Sequence, residues 1–188
     1  MDLQELKVLV DYAIDDCQRI IQKDPKTILS EGDFERILSD CISKQIGYNP
    51  GILQPDEYAV HSQITHYDNE SDEVDARVDI LLAKPADIKP DWSRNKLFVI
   101  YNPIDSFAIE LKYKHKNNGC VSAAKKDIKK YVKYKDDSHY YSIILLDNNK
   151  NIVEQKNEIQ EYYEKKKREL GEEYETKFFC RVLIKEAE

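Results

Sequence analysis

Residues 140 to 146, Tyr-Tyr-Ser-Ile-Ile-Leu-Leu, carry one polar side chain among seven. Successive side chains of a strand leave opposite faces, so a run without polar alternation is apolar on both sides and must be covered on both. That requirement predicts a central strand in a sheet with layers packed above and below it. The chain has the means to build such layers: 188 residues, 41% hydrophobic and 35% charged, predict one domain with a substantial core and a highly charged surface. No apolar run approaches a membrane span, and the N-terminus lacks the basic-then-apolar pattern of a signal peptide. Cys17, Cys41, Cys120 and Cys180 are scattered without paired spacing, which predicts reduced, mostly buried thiols and a cytoplasmic location.

A second stretch carries chemistry as well as fold. In Phe107-Ala108-Ile109-Glu110-Leu111-Lys112-Tyr113 the odd-numbered positions are apolar, and Ala108, Glu110 and Lys112 share the other face. A lone Glu-x-Lys is most simply a solvated strand face. Upstream, Ala76-Arg77-Val78-Asp79-Ile80-Leu81-Leu82 is a second strand in which Asp79 interrupts an apolar run. A carboxylate there costs stability unless it is paired or binds a metal. Two strands each bringing one acid to a shared place make a candidate metal site.

Around these strands, Leu3, Leu6, Val10, Ile14, Cys17 and Ile21 recur at helical spacing and predict a helix over 3–23, closed by Asp24-Pro25. A second helix follows Ser30, an N-cap with Asp33 three residues on; Phe34, Leu38, Cys41 and Ile42 form its core face, and Gly47 ends it. Glu31 and Glu35 lie near that face, where the helix dipole alone accounts for first-turn acids. Residues 57–67 alternate as a strand. Asp68 to Asp75 is an acidic turn without the glycine and terminal glutamate of a calcium loop. Residues 84–95, with Pro85 and Pro90, predict an excursion out of the sheet, and Leu97–Tyr101 a short strand. After 146, a charged helix over 154–170 and a strand over 178–184 complete the chain. The four histidines show no ligand spacing, and no glycine-rich phosphate loop or nucleophile elbow is present.

The formal net charge is −7, which argues against indiscriminate nucleic-acid binding, yet Lys112 to Lys135 hold nine lysines against Asp127 alone, a local +8. Ser122 is the expected cap of a helix here, with Ala124, Ile128, Tyr131, Val132 and the stem of Lys135 inward and most lysines outward. Such a face often serves solubility only; beside the proposed acid site it is equally a candidate for phosphate-backbone contact through Lys114, Lys116, Lys125, Lys126, Lys129 and Lys133.

In this order of elements the chain resembles the PD-(D/E)XK nuclease superfamily, the restriction-endonuclease-like fold. Asp79 in Arg77-Val78-Asp79-Ile80-Leu81-Leu82 is similar to that family's first acid, with Val78 where proline is often found, and Glu110-Leu111-Lys112 to its Glu-x-Lys element. Ser30-Glu31-Gly32-Asp33-Phe34 followed by Leu38 is similar to the helix that opens the core in archaeal Holliday-junction resolvases, where the leading glutamate joins the site; this favours Glu31 over Glu35. The resemblance covers roughly residues 28 to 147. It implies a single α/β domain over 1–188, a central mixed sheet with an α-β-β-β-α-β core flanked by helices. The separation of 31 residues between Asp79 and Glu110 is long for it, and the proline-containing excursion accounts for the excess.

The function implied is metal-dependent hydrolysis of phosphodiester bonds, most simply by a DNA endonuclease. Asp79, Glu110 and the backbone carbonyl of Leu111 would hold Mg²⁺, with Mn²⁺ as a substitute. Glu31 would complete a second metal site or orient a metal-bound water. Lys112 would orient or deprotonate the attacking water, provided its pKa is depressed, and stabilise developing charge. The implied partner is nucleic acid, DNA before RNA, with a homodimer or a partner subunit left open. Two rivals remain: the same fold without activity, binding DNA or a protein, and an unrelated acidic interaction protein in which Glu110 and Lys112 form a surface ion pair.

Overall fold

Local signals set the helix limits. In the computed structural model, described for residues 1–52, 54–67, 74–91, 98–101, 105–134 and 139–186, α1 spans Leu3–Lys23 and α2 spans Glu31–Ile46. Each opens on a reciprocal capping box, Asp2 with Glu5 and Ser30 with Asp33, in which each side chain accepts from the other residue's backbone N–H. α2 closes at Gly47, whose φ of 70° is the left-handed conformation that glycine adopts at little cost. α3 spans Cys120–Tyr134 and starts earlier than a Ser122 cap would allow: Gly119, at φ 71°, turns the chain, and its carbonyl accepts from the Ala123 N–H at 3.0 Å. Ser122 therefore lies inside the first turn. α4 spans Ile152–Leu170 and stops at Gly171.

The strands are β1 (Ala59–Tyr67), β2 (Val74–Ala83), β3 (Ile88–Asp91), β4 (Phe98–Tyr101), β5 (Phe107–Tyr113), β6 (His139–Asp147) and β7 (Phe178–Lys185). They form one mixed sheet in the order β3-β4-β1-β2-β5-β6-β7. β2 is antiparallel to both of its neighbours, β1 and β5, and β5, β6 and β7 run parallel, joined by crossovers through α3 and α4. The block β1-β2-β5-β6-β7 with four flanking helices makes this a single α/β domain. One expectation needs correcting. Residues 84–95 do not simply leave the sheet: Pro85–Asp87 form a short 3-10 turn, and Ile88–Asp91 return as an edge strand paired antiparallel with β4. Among the described residues β3 is the last strand of the sheet, and an edge strand is where a proline is tolerated. Of the acidic stretch Asp68 to Asp75, residues 68–73 lie outside the described residues, as do 92–97, while Val74 and Asp75 belong to β2 and not to a turn.

The sheet has a core on each face, as the 140–146 run requires. Tyr141, Ile143 and Leu145 join Ile80, Leu82, Phe107, Ile109 and Leu111 under α1 and α2. Tyr140, Ile144 and Leu146 join Leu81, Ala108 and Phe178 under α3 and α4. α1 also protects the β7 edge: the Gln18 side chain donates to the Ile184 carbonyl at 2.8 Å and accepts its N–H at 3.0 Å. All four cysteines are free thiols, three of them buried. No helix among the described residues is long and apolar enough to cross a membrane.

Lys185, at the end of β7, is buried. Its ammonium donates to the Ile28 carbonyl at 2.7 Å and to the Tyr113 hydroxyl at 3.2 Å, with Asp147 at 3.9 Å. It ties the entry to α2 to the ends of β5 and β6. Lys185→Met keeps the length but strands these acceptors, and is expected to lower stability by about 3 kcal/mol in urea denaturation. An unchanged midpoint would show that water replaces the ammonium.

Candidate active site

The site lies where β2 and β5 part. Among the described residues their ladder ends at Ile80 opposite Ile109. The next pair in register would be Asp79 and Glu110. Instead the Asp79 carboxylate enters the gap, and its Oδ2 accepts the Leu111 N–H at 2.7 Å. Two residues on, the Tyr113 N–H donates to Glu31 Oε2 at 3.0 Å, from the first turn of α2. The edge of β5 freed by the parting is thus satisfied by two carboxylates, which accounts structurally for one oxygen of each. The N–H of Leu111 is what engages Asp79.

The remaining groups converge from both faces of the sheet. Lys112 Nζ lies 3.3 Å from Glu31 Oε2 and 3.4 Å from Asp127 Oδ2 on α3. Glu110 is buried, with Lys130 of α3 at 3.8 Å from Oε1 and no hydrogen-bond partner at Oε2. Gln63 of β1 bridges the far side: its side-chain amide donates to Glu35 Oε2 at 2.5 Å and lies 3.4 Å from Asp79 Oδ1. Its φ of 56° is unusual in mid-strand for a residue with a side chain, and such outliers concentrate where a side chain is being aimed. Glu31 therefore touches the lysine directly, while Glu35 reaches Asp79 only through Gln63.

Burial, then the Asp79 carboxylate, push the Glu110 carboxyl up to about 8. Asp79 is also raised, by burial first, against the pull of the Leu111 N–H. Burial opposes the charge on Lys112, but Asp127 and Glu31 outweigh it and raise the ammonium above its ordinary range. This corrects the expected role of Lys112. The depressed pKa on which a role as base depends is absent, and the flanking carboxylates favour a fixed positive charge there instead.

The donor set suits a hard dication. Burial and mutual repulsion oppose ionisation of both acids and one buried oxygen has no partner, a penalty that a cation between them would remove by favouring the ionised forms, and Mg²⁺ commonly takes only one or two protein carboxylates. Asp79 and Glu110 fit that requirement. Glu31 does not join them: among the described residues no three His, Cys, Asp or Glu side chains are placed to share one ion, and Glu31 is held by Lys112 and the Tyr113 N–H.

The lysine-rich segment divides. Lys114, Lys116, Lys126 and Lys129 are exposed. Lys125 pairs with Glu158 at 2.7 Å and lies over the Tyr162 ring, stapling α3 to α4. The Lys133 side chain and Lys135 lie outside the described residues. Lys125, Lys126 and Lys129 line a groove of about 710 Å³ between α3 and α4, but Glu154 and Glu158 line it too, so the basic field there is partly cancelled. Comparison of the chain with known families, curated proteins and solved structures finds no match.

Sequence reading missed Asp127, Lys130 and Gln63. Asp127 had a signal, as the lone acid in a basic run three residues from Lys130. Gln63 had none, because a left-handed residue in mid-strand leaves no trace in an alternating pattern.

Proposed function

We propose that this protein is a metal-dependent nuclease of the restriction-endonuclease-like type, cleaving phosphodiester bonds of DNA. The observation that carries the reading is the buried Glu110 carboxyl, one oxygen of which has no hydrogen-bond partner, on β5 where it parts from the strand that bears Asp79, with Asp79 close enough to raise its pKa. The order α2-β1-β2-β5-α3-β6 supports it, being the α-β-β-β-α-β order that the sequence resemblance implies. The β3-β4 hairpin inserted between β2 and β5 fills the long separation of Asp79 from Glu110.

On this reading Asp79 and Glu110 hold Mg²⁺ or Mn²⁺, which supplies a more acidic water and neutralises the phosphoryl group. The chain's own residues do the rest. Leu111 fixes the Asp79 carboxylate through its N–H. Lys112 presents a permanent ammonium to charge that grows on the phosphoryl oxygens, an interaction stronger in the transition state than in the ground state. Glu31 keeps that ammonium at the parting of the strands. Water adds to phosphorus, the bridging P–O bond breaks, and the products are a phosphomonoester and an alcohol.

The deciding experiment incubates purified protein with duplex, branched and single-stranded DNA and RNA, with Mg²⁺, Mn²⁺ or chelator. Cleavage with metal and none with chelator is expected; no cleavage in any combination overturns the reading. The net charge of −7 and the acids lining the α3–α4 groove favour one alternative, a module of this fold that binds without cutting. Salt-sensitive binding without cleavage would select it.

The lysines make a separable prediction. Lys126→Ala with Lys129→Ala is expected to flatten the log–log salt dependence of duplex binding by about 0.9 for each phosphate no longer neutralised. Lys125→Ala, whose ammonium is engaged by Glu158, is expected to leave the slope unchanged. Filter binding across a salt series reads both, and equal slopes for all three proteins would exclude this face.

A further inference from the structure

We propose that Asp127 is a positioning residue that holds the Lys112 ammonium at the site, opposing Glu31 from the other side of the sheet; the inference rests on the nuclease reading for its consequence, not for its geometry.

Glu110 and Lys112 are two apart on one strand face, so opposite charges on neighbouring side chains would ordinarily close on each other. They do not pair here. α3 presents Asp127 and Lys130, three residues apart and so on one helical face, and each meets the opposite charge on β5. Lys112 goes to Asp127 and Glu110 to Lys130. The crossed arrangement keeps the lysine off the acid that is needed for metal.

Two features set Asp127 apart from an ordinary surface acid. Its Oδ2 is buried and makes no hydrogen bond, although Nζ of Lys112 is only 3.4 Å away. The carboxylate thus meets the ammonium from inside the fold, where little water competes for it. Second, Glu31 belongs to α2, which packs with the first core, and Asp127 to α3, which packs with the second. A flexible four-carbon side chain is held between carboxylates on two elements that the sheet separates. Either acid alone would leave the lysine free to swing toward the other face or onto Glu110. Supporting groups of this kind typically matter 10–100-fold when removed.

The test uses the full-length protein without metal, labelled with ¹⁵N-lysine. Correlation spectra of the side-chain ammonium groups are recorded for wild type, Lys112→Arg (to assign the signal), Asp127→Asn and Asp127→Glu. A slowly exchanging Lys112 ammonium signal is expected in wild type, lost in Asp127→Asn and regained in Asp127→Glu. Absence of the signal in wild type, or its persistence in Asp127→Asn, overturns the proposal. Thermal denaturation verifies folding; if Asp127→Asn does not fold, the Lys112→Arg and Asp127→Glu spectra still decide whether the ammonium is held. Activity gives an independent reading. Asp127→Asn is expected to lower kcat roughly 10–100-fold with KM little changed, and to cost nothing more in a Lys112→Ala background. Equal losses in both backgrounds would mean that Asp127 does not act through Lys112. If wild type cleaves no nucleic acid, the nuclease reading falls, while the spectra still decide the pairing.

Discussion

Replacing Asp79 or Glu110 by Ala is expected to reduce metal-dependent cleavage by about 10³-fold or more, equivalent to losing roughly 4 kcal/mol of transition-state stabilisation. The two variants should differ in stability. Asp79→Ala removes the acceptor of the Leu111 N–H and leaves a buried donor unpaired, a cost of about 1–3 kcal/mol. Asp79→Asn keeps an oxygen for that N–H while discarding the charge, so it separates the ligand role from the structural one. It should be as inactive as Asp79→Ala and closer to wild type in stability. Lys112→Ala should lose most activity yet keep metal binding, measured by calorimetry, because its ammonium acts on charge and not on the ion. Cleavage that persists in rigorously purified Asp79→Ala would place the activity elsewhere or in a contaminant.

Glu110 makes the second large effect, one that needs no substrate. In the folded, metal-free protein its carboxyl sits near about 8, against the ordinary 4.5 of an exposed glutamate. Between those pH values the folded chain holds a proton that the unfolded chain has released. Raising the pH therefore draws the equilibrium toward unfolding, and stability falls across that window. At 1.36 kcal/mol per pKa unit the loss is on the order of 5 kcal/mol, and Asp79, raised for the same reason, acts in the same direction. Urea denaturation at pH 5, 6, 7 and 8 should show this decline in wild type and a much flatter profile in Glu110→Gln. Magnesium should oppose the decline, because a dication favours the ionised carboxyl and binds only the folded site. The rise in Tm on adding Mg²⁺ should be larger at pH 8 than at pH 6, and absent in Glu110→Gln. Identical pH profiles for wild type and Glu110→Gln would mean that Glu110 is ionised without penalty, and the main reason for placing a metal there would vanish.

Together the two results bear on different parts of the proposal. The pH experiment asks whether two acids are held against each other in a buried place. The cleavage experiment asks whether that arrangement does chemistry. A protein passing the first and failing the second would be a nuclease-like module that retains a cation site without cutting.

Much of the architecture was written in short-range pattern. The 140–146 run demanded cover on both faces, and β6 has a core on each side of it. The alternation of 107–113 put Ile109 and Leu111 under α1 and α2 and left Glu110 and Lys112 on the other side, because strand geometry allows nothing else. Ser30 with Asp33, and Gly47, marked α2 through hydrogen bonds that span four residues or fewer. Asp79, Glu110 and Lys112 stood out for the same reason: a charge in an apolar strand is visible from its immediate neighbours. What a neighbour-by-neighbour reading does not contain is the partner of each charge. Lys112 is an ammonium and not a base because Glu31, 81 residues away, and Asp127 on a later helix both reach it. Lys125 belongs to Glu158 on α4, and Gln63 links Glu35 to Asp79 across three elements. The parting of β2 from β5, which opens the site, is a departure from register and not a property of either strand alone. Short-range pattern is enough to mark which segments are strands and helices and which acids are misplaced; how those acids are paired, and with that their protonation, depends on contacts between segments far apart in the chain.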